Sequence, residues 1–198
     1  MFGQASAPRI ETERLVLRPP EHRDWRVWAN LRETSAAHLK PWEPVWSIDH
    51  LTRRAFTNRV YWAQRAVRQG TGLPLFLFEK DGGGSQGRIA GAITLDNIRR
   101  GPSQAGTTGY WLGSGFTGRG LMTEGLRAVV GYAFDALDLS RIESACLAEN
   151  RASRAVLERA GYKYEGVAQS YLQIGGRWRN HVLYACLRSD RRGRTDAG

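Results

Sequence analysis

The sequence predicts an α/β fold, and three observations carry the prediction. Apolar residues switch between a period of two and a helical period along the chain. A short apolar strand runs into a glycine-rich turn that opens a helix, over Gly109-Tyr-Trp-Leu-Gly-Ser-Gly-Phe-Thr-Gly-Arg-Gly-Leu-Met-Thr-Glu124. The length, 198 residues, suits one domain able to bury most of its surface, and nothing suggests a second core.

The elements follow in order. Arg14-Leu-Val-Leu-Arg18 alternates and stops at Pro19-Pro20, a first strand. Asp24 is placed to cap a helix carrying Trp25, Trp28 and Leu31, after which Pro41 and Pro44 impose a loop from Leu39 to Trp46. A second helix from about Leu51 sets Phe56, Val60, Ala63 and Val67 at helical spacing. Pro74–Phe78 and Arg88–Leu95 read as a hairpin joined by the glycine-rich run from Gly82 to Gly87. A second hairpin, through Asn97-Ile-Arg-Arg-Gly-Pro-Ser103, leads to the strand before the glycine turn.

The helix after that turn presents Leu126, Val129, Val130, Ala133, Phe134 and Leu137 on one face, a core-packing pattern. Then come a strand at Arg141–Leu147, a short helix from Asn150 to about Ala160 stopped by Gly161, and strands near Tyr164–Leu172 and Val182–Leu187. One domain over 9–189 is expected, followed by a disordered polar tail over 190–198 that holds Arg191-Arg192-Gly-Arg194.

The formal charge of +10 and pI near 10.3 favour an acidic partner: nucleic acid, a ribosome-like surface or a polyphosphorylated cofactor. All but Lys40, Lys80 and Lys163 of the 29 basic residues are Arg, a bias that base composition also produces, and no compact basic run exists outside the tail. Direct nucleic-acid binding is therefore not expected. Cys146 and Cys186 sit in strand-like segments and read as buried free thiols, which suits a reducing cytoplasm. The start, Met1 to Glu13, lacks a cationic-then-apolar leader pattern, and no segment approaches the roughly 18 apolar residues of a membrane span.

The glycine turn admits three readings. Gly113, Gly115, Gly118 and Gly120 let backbone approach a ligand, and the first amides of the following helix form an anion site beside Arg119. Gly113-x-Gly115-x-x-Gly118 matches the dinucleotide fingerprint, but Asp135 and Asp138 fall at the helix end rather than at the tip of the next strand. No Gly-Lys-Ser/Thr follows, so the nucleoside-triphosphatase loop is absent. A glycine-rich helix entry without a ligand remains open for the turn taken alone.

Thr117-Gly118-Arg119-Gly120-Leu121-Met122 resembles the acyl-CoA loop of the GNAT family of N-acetyltransferases, whose pattern is Gln/Arg-x-x-Gly-x-Gly/Ala. Thr117 and Met122 depart from it, and Met122 is a departure associated with the ribosomal-protein-alanine (RimJ/RimL-like) branch. Asn97-Ile-Arg-Arg-Gly101, Gly109-Tyr-Trp-Leu-Gly113, Asn150-x-x-Ser153, Gly161-Tyr-x-x-Glu-Gly166 and Tyr171-Leu-x-Ile-x-Gly-x-Trp-Arg-Asn-His181 resemble that branch in order and spacing. Asn180-His181 stands where the branch usually has Asp-His.

The resemblance spans Arg14 to Leu187 and implies a GNAT fold. That fold is a mixed, largely antiparallel twisted sheet of about seven strands with helices on both faces. It further implies that the backbone amides of Gly118, Arg119, Gly120 and Leu121 hold the pyrophosphate of acetyl-CoA, with Thr117, Met122 and Thr123 completing the contact. Loss of side-chain donation at Thr117 is expected to weaken affinity modestly.

Acetyl transfer to an amine needs a neutral amine, a polarised carbonyl and a stabilised thiolate. By resemblance, the N–H near Leu112 polarises the thioester oxygen, a donor of a kind worth about a hundred- to a thousandfold in rate. Asn150 is an ordinary helix cap from the sequence alone, and the resemblance adds a bond to the pantetheine arm. Ser153, one helical turn on, is the expected proton donor to the thiolate; the Tyr that many relatives carry four residues later is Leu157 here.

Glu149 is the candidate base and Glu43 borders the acceptor, although either can be a plain solvated carboxylate. Trp42, Trp46 and Tyr110 are candidate acceptor-cleft aromatics. An α-amine at about 7.7–8.0 is partly neutral near pH 7.5, whereas a lysine at about 10.4 is not, so a weak base suits N-terminal acetylation.

The expected reaction is direct transfer in a ternary complex to the N-terminal α-amine (Ala) of a protein, by resemblance a ribosomal one. The alternatives are a small-amine acceptor (antibiotic, polyamine or amino acid) or an idle acetyl-CoA-binding module. The histidines His22, His38, His50 and His181 show no metal-ligand spacing, so no metal is expected.

Overall fold

Strands of alternating apolar residues assemble into one eight-stranded sheet in the computed structural model, which describes residues 8–81 and 86–189. The strands are β1 (Ile10–Glu11), β2 (Leu15–Arg18), β3 (Leu73–Lys80), β4 (Gln86–Arg99), β5 (Ala105–Leu112), β6 (Arg141–Leu147), β7 (Lys163–Ile174) and β8 (Arg177–Leu187). They lie in the order β1-β2-β3-β4-β5-β6-β8-β7. Every pairing is antiparallel except β5 with β6, which run parallel. The sheet has the expected class, and its eighth strand is β1, whose pairing of Ile10 with Leu17 is too short to show as alternation.

The helices are α1 (Trp25–Thr34), α2 (Ala36–Leu39), α3 (Arg53–Gln69), α4 (Leu121–Asp135) and α5 (Arg151–Arg159). Because successive side chains of a strand point to opposite faces, β2 and β3 feed two cores. Leu15, Leu17, Leu75 and Leu77 pack with Leu126 and Val129 of α4 and Leu157 of α5. Val16, Phe76 and Phe78 pack on the other face with Trp28 of α1 and Phe56 and Val60 of α3.

Thr52 caps α3 by accepting the Ala55 N–H at 3.2 Å, and Gly70, at φ 66°, closes it. Asp24 does not cap α1 as its position suggested. Its carboxylate is buried and accepts two bonds from Arg18, at 2.8 and 2.7 Å, and one from the Glu21 N–H at 2.8 Å. Arg18 outcompetes the helix amides because a buried guanidinium needs a counter-charge. Between α1 and Pro44, α2 and a 3-10 turn over Lys40–Trp42 replace part of the expected loop. The tail over 190–198 and the hairpin residues 82–85 lie outside the described residues.

One irregularity positions everything that follows. Pairing between β5 and β6 covers only Ala105–Thr108 with Arg141–Ser144. Beyond it β5 stays with β4, through Gly91 with Leu112, while β6 stays with β8. The two strands part into a wedge, with the start of α4 following one and the start of α5 following the other.

Candidate active site

The wedge opens into a cavity of about 470 Å³. Its walls come from β5 (Tyr110, Trp111, Leu112), the glycine turn and α4 (Thr117, Gly118, Gly120, Met122, Thr123), α5 with its cap (Asn150, Ser153, Val156) and the α2 region (His38, Leu39, Trp42, Glu43).

At one end lies an anion cradle. Gly118 and Gly120 have φ of 73° and 77°, the left-handed region that side-chain-bearing residues avoid, so the turn requires glycine at both. The first helical bond of α4 runs from the Glu124 N–H to Gly120 O at 3.1 Å. The amides of Leu121, Met122 and Thr123 therefore have no partner inside the helix and, with the helix dipole, favour negative charge. The Leu121 and Met122 side chains are buried in the core.

Arg119 turns out of the cradle to pair with Glu79, and its carbonyl accepts from Arg14 at 2.9 Å. Thr117 Oγ1 donates to Ser114 O at 3.0 Å. A neighbouring groove along the outer face of α4 carries Arg14, Arg127 and Arg159.

In the middle, two hydroxyls meet. Asn150 caps α5 by accepting the Ser153 N–H at Oδ1, 3.0 Å, which fixes the first turn. Ser153 Oγ lies 2.8 Å from the Tyr110 hydroxyl of β5, which also reaches Ser153 O at 3.2 Å. Burial pushes the Tyr110 phenol well above its ordinary value, so it stays protonated, while the Ser153 bond acts in the opposite sense. The Cys146 thiol also reaches Ser153, and burial pushes it up.

Tyr110, read from the sequence as an acceptor-cleft aromatic, thus touches Ser153 across 43 residues of chain, a pairing no local spacing signals. Just past β5, Gly113 N–H donates to Ala90 O at 2.9 Å. By the alternation of an antiparallel ladder, the Leu112 N–H turns the other way, into the wedge.

The far end is aromatic and basic. Trp42 lines the cavity, and so does Glu43, whose carboxylate is occupied. Arg32 forks onto both Glu43 oxygens at 2.7 and 2.5 Å, and Trp46 Nε1 donates to Oε2 at 2.7 Å. The Arg32 guanidinium lies between Trp46 and Trp111, 4.4 and 4.7 Å from their ring centroids. This stacking leaves Arg32 Nε as a buried side-chain atom without a hydrogen bond among the described residues.

Trp46 stacks on His50 at 4.7 Å behind the wall and does not line the cavity. Burial, then Arg32 and Arg59, depress the His50 pKa to about 4. Glu149 also stands outside the wall, paired with Arg179. His181 is buried, with Nδ1 3.0 Å from Arg179 O, a structural placement.

No group of three His, Cys, Asp or Glu suited to a metal occurs among the described residues, and no helix there is long and apolar enough to cross a membrane. Neither cysteine forms a disulfide; Cys146 is buried and Cys186 half-buried.

Known proteins share this arrangement. The Acetyltransferase (GNAT) domain family matches residues 14–163. The [Ribosomal protein uS5]-alanine N-acetyltransferase of Escherichia coli K12 is 34% identical over 194 residues, 96% of this chain and 97% of that protein. The Probable N-acetyltransferase YjcK of Bacillus subtilis is 30% identical over 181 residues, 91% of this chain and 98% of that protein. Among solved structures, Mycobacterium smegmatis RimJ in complex with CoA-disulfide superposes with a TM-score of 0.82 at 29% identity, covering 94% of this chain and 89% of that one. A cradle of backbone amides, a parting of β5 from β6 and full-length similarity converge on one assignment: the chain belongs to the GNAT family of N-acetyltransferases, in its RimJ/RimL-like branch.

Proposed function

We propose that the protein transfers an acetyl group from acetyl-CoA to the N-terminal α-amine of a protein, with alanine first and a ribosomal protein as the natural acceptor. One catalytic domain over 9–189 does this in the cytoplasm. The observation that carries the reading is the single cavity joining the Gly118–Gly120 cradle, the Ser153–Tyr110 pair and the aromatic end at Trp42. The full-length similarity to a uS5-alanine acetyltransferase supports the acceptor.

Acetyl-CoA fits the site on the chemistry of its donors. The cradle offers amides of Gly118, Arg119, Gly120 and Leu121 to a pyrophosphate. The outer groove offers Arg127 and Arg159 to the nucleotide end. Asn150, which lines the cavity, would bond the pantetheine arm, as the family resemblance implies. When bound, acetyl-CoA supplies an activated acetyl group whose thiol is the leaving group.

The chain's own residues do the rest. Leu112 N–H, directed into the wedge, donates to the oxygen that gains charge. Ser153 Oγ hands a proton to the departing sulfur, and the Tyr110 hydroxyl holds Ser153 in place while remaining neutral itself. Trp42 and Trp111 exclude water around the acceptor.

The test is thiol release from acetyl-CoA with a free-N-terminus Ala peptide, an N-blocked Lys peptide and a panel of small amines. Turnover confined to the free-N-terminus peptide is the expected result. Preference for antibiotics, polyamines or amino acids assigns the protein to small amines instead. Acetyl-CoA binding without turnover of any acceptor marks an idle binding module.

A further inference from the structure

We infer that His38 is the general base that takes the proton from the acceptor amine. The inference rests on the acetyl-transfer reading above and assigns the one role that reading leaves empty.

The side chains lining the cavity that can gain or lose a proton are His38, Glu43, Tyr110, Arg151 and Arg159. The two arginines are permanently cationic. Tyr110 is held neutral by burial and bonded to Ser153. Glu43 already accepts two bonds from Arg32 and one from Trp46, so three of its roughly four lone-pair sites are engaged. Glu149 is off the wall and paired with Arg179.

His38 is exposed on α2, and its ring makes no hydrogen bond among the described residues. Imidazole is also the side chain that by nature exchanges protons near neutral pH.

Its position is built. Ser35, buried at the start of α2, accepts the Ser114 N–H at Oγ, 3.0 Å. The His38 N–H in turn donates to Ser35 O at 3.0 Å. Leu31 of α1 packs so closely on Gly113 that an added Cβ there would lie 2.4 Å from its Cδ1. The turn bearing His38 is thereby fastened to the residues that follow Leu112, the N–H assigned to the reacting oxygen. Leu39, buried beside it, lines the same cavity and anchors the turn. His38 and Ser153 then face one cavity from different walls, as a base and an acid must.

The step balances without another reactant. The amine nitrogen forms a bond to the acetyl carbon, and the carbon–sulfur bond breaks. The proton leaving nitrogen goes to the His38 imidazole, and the sulfur is protonated through Ser153. Exposed His38 then returns its proton to water, which reprotonates the serine side through solvent.

The experiment compares wild type with His38→Ala and His38→Gln, using the full chain, acetyl-CoA and the best acceptor from the panel above. Both variants are expected to lose roughly 10²-fold or more in kcat with acetyl-CoA affinity kept. Added imidazole is expected to restore part of the His38→Ala rate and none of the rate of a Ser153→Ala control. A loss under about threefold overturns the inference. So does a loss that imidazole leaves unchanged, because a merely structural histidine gives that result. The wild-type arm alone judges the acceptor reading: turnover confined to small amines overturns N-terminal acetylation, and the variants are then compared on that amine.

Discussion

Ser153 lines the cavity from the first turn of α5, and its neighbour gives it a setting that the sequence did not reveal. Its hydroxyl meets Tyr110 at 2.8 Å, so it has a fixed orientation instead of a free rotor. Ser153→Ala should lower kcat roughly a hundredfold if the hydroxyl protonates the leaving sulfur, with the acetyl-CoA Kd nearly unchanged. Tyr110→Phe removes one neutral hydrogen bond and should lower kcat by only about fivefold. Steady-state kinetics alongside acetyl-CoA titrations separate the two.

His50 makes a prediction about stability. Its pKa in the folded chain is about 4, below the ordinary 6.5, because burial and Arg32 oppose its charging. Above pH 6.5 the ring is neutral in both folded and unfolded chains. As pH falls from there toward 4, the unfolded chain gains a proton that the folded one refuses, and stability drops. The urea midpoint should decline across that window, and His50→Gln should flatten the decline.

At the scale of elements, the glycine turn, α2 and the β5–β6 parting differ in how clearly the sequence announces them. The turn was legible because glycine adopts φ of 73° and 77°, as at Gly118 and Gly120, without the strain a side chain adds. Gly120→Ala forces a side-chain residue into that region. The expected cost is roughly 1–2 kcal/mol, read as a lower denaturant midpoint. Acetyl-CoA affinity, measured by titration, should fall as well, since the cradle amides move with the turn.

α2 was not legible, because Ala36–Leu39 is a helix shorter than any periodic window and is held by Ser35 rather than by propensity. The parting of β5 from β6 has no local signature in the sequence. It follows from which residues find partners: β6 pairs with β8 over its whole length, while β5 beyond Thr108 has β4 alone.

Across the whole molecule, several of the arginines behind the net charge of +10 are engaged by carboxylates. Arg99 pairs with Glu143, Arg141 with Glu165, Arg119 with Glu79 and Arg188 with Asp138, at separate places on the surface. Such exposed pairs add little stability but consume positive potential. Titration with DNA or RNA near 150 mM salt should therefore show no steeply salt-dependent binding. Acetyl-CoA should instead raise the unfolding temperature with its concentration, as any ligand of the folded state does.

The sequence by itself determined the class of fold, most of the strand and helix order and the glycine turn, since these rest on period, on glycine and on apolar spacing, all local properties; the cradle's ligand came by resemblance. It named Ser153 and Asn150, which share one helical turn. Tertiary structure alone decided which polar groups were already engaged. Glu43 borders the cavity with its carboxylate held by Arg32 and Trp46, while Glu149 lies outside the wall in an exposed pair with Arg179. Trp46 proved to be packing behind the wall, and Tyr110 the neighbour of Ser153. Availability for chemistry depends on what lies within about 3 Å in space, and that distance is set by sheet order and helix packing, which no single stretch of sequence contains.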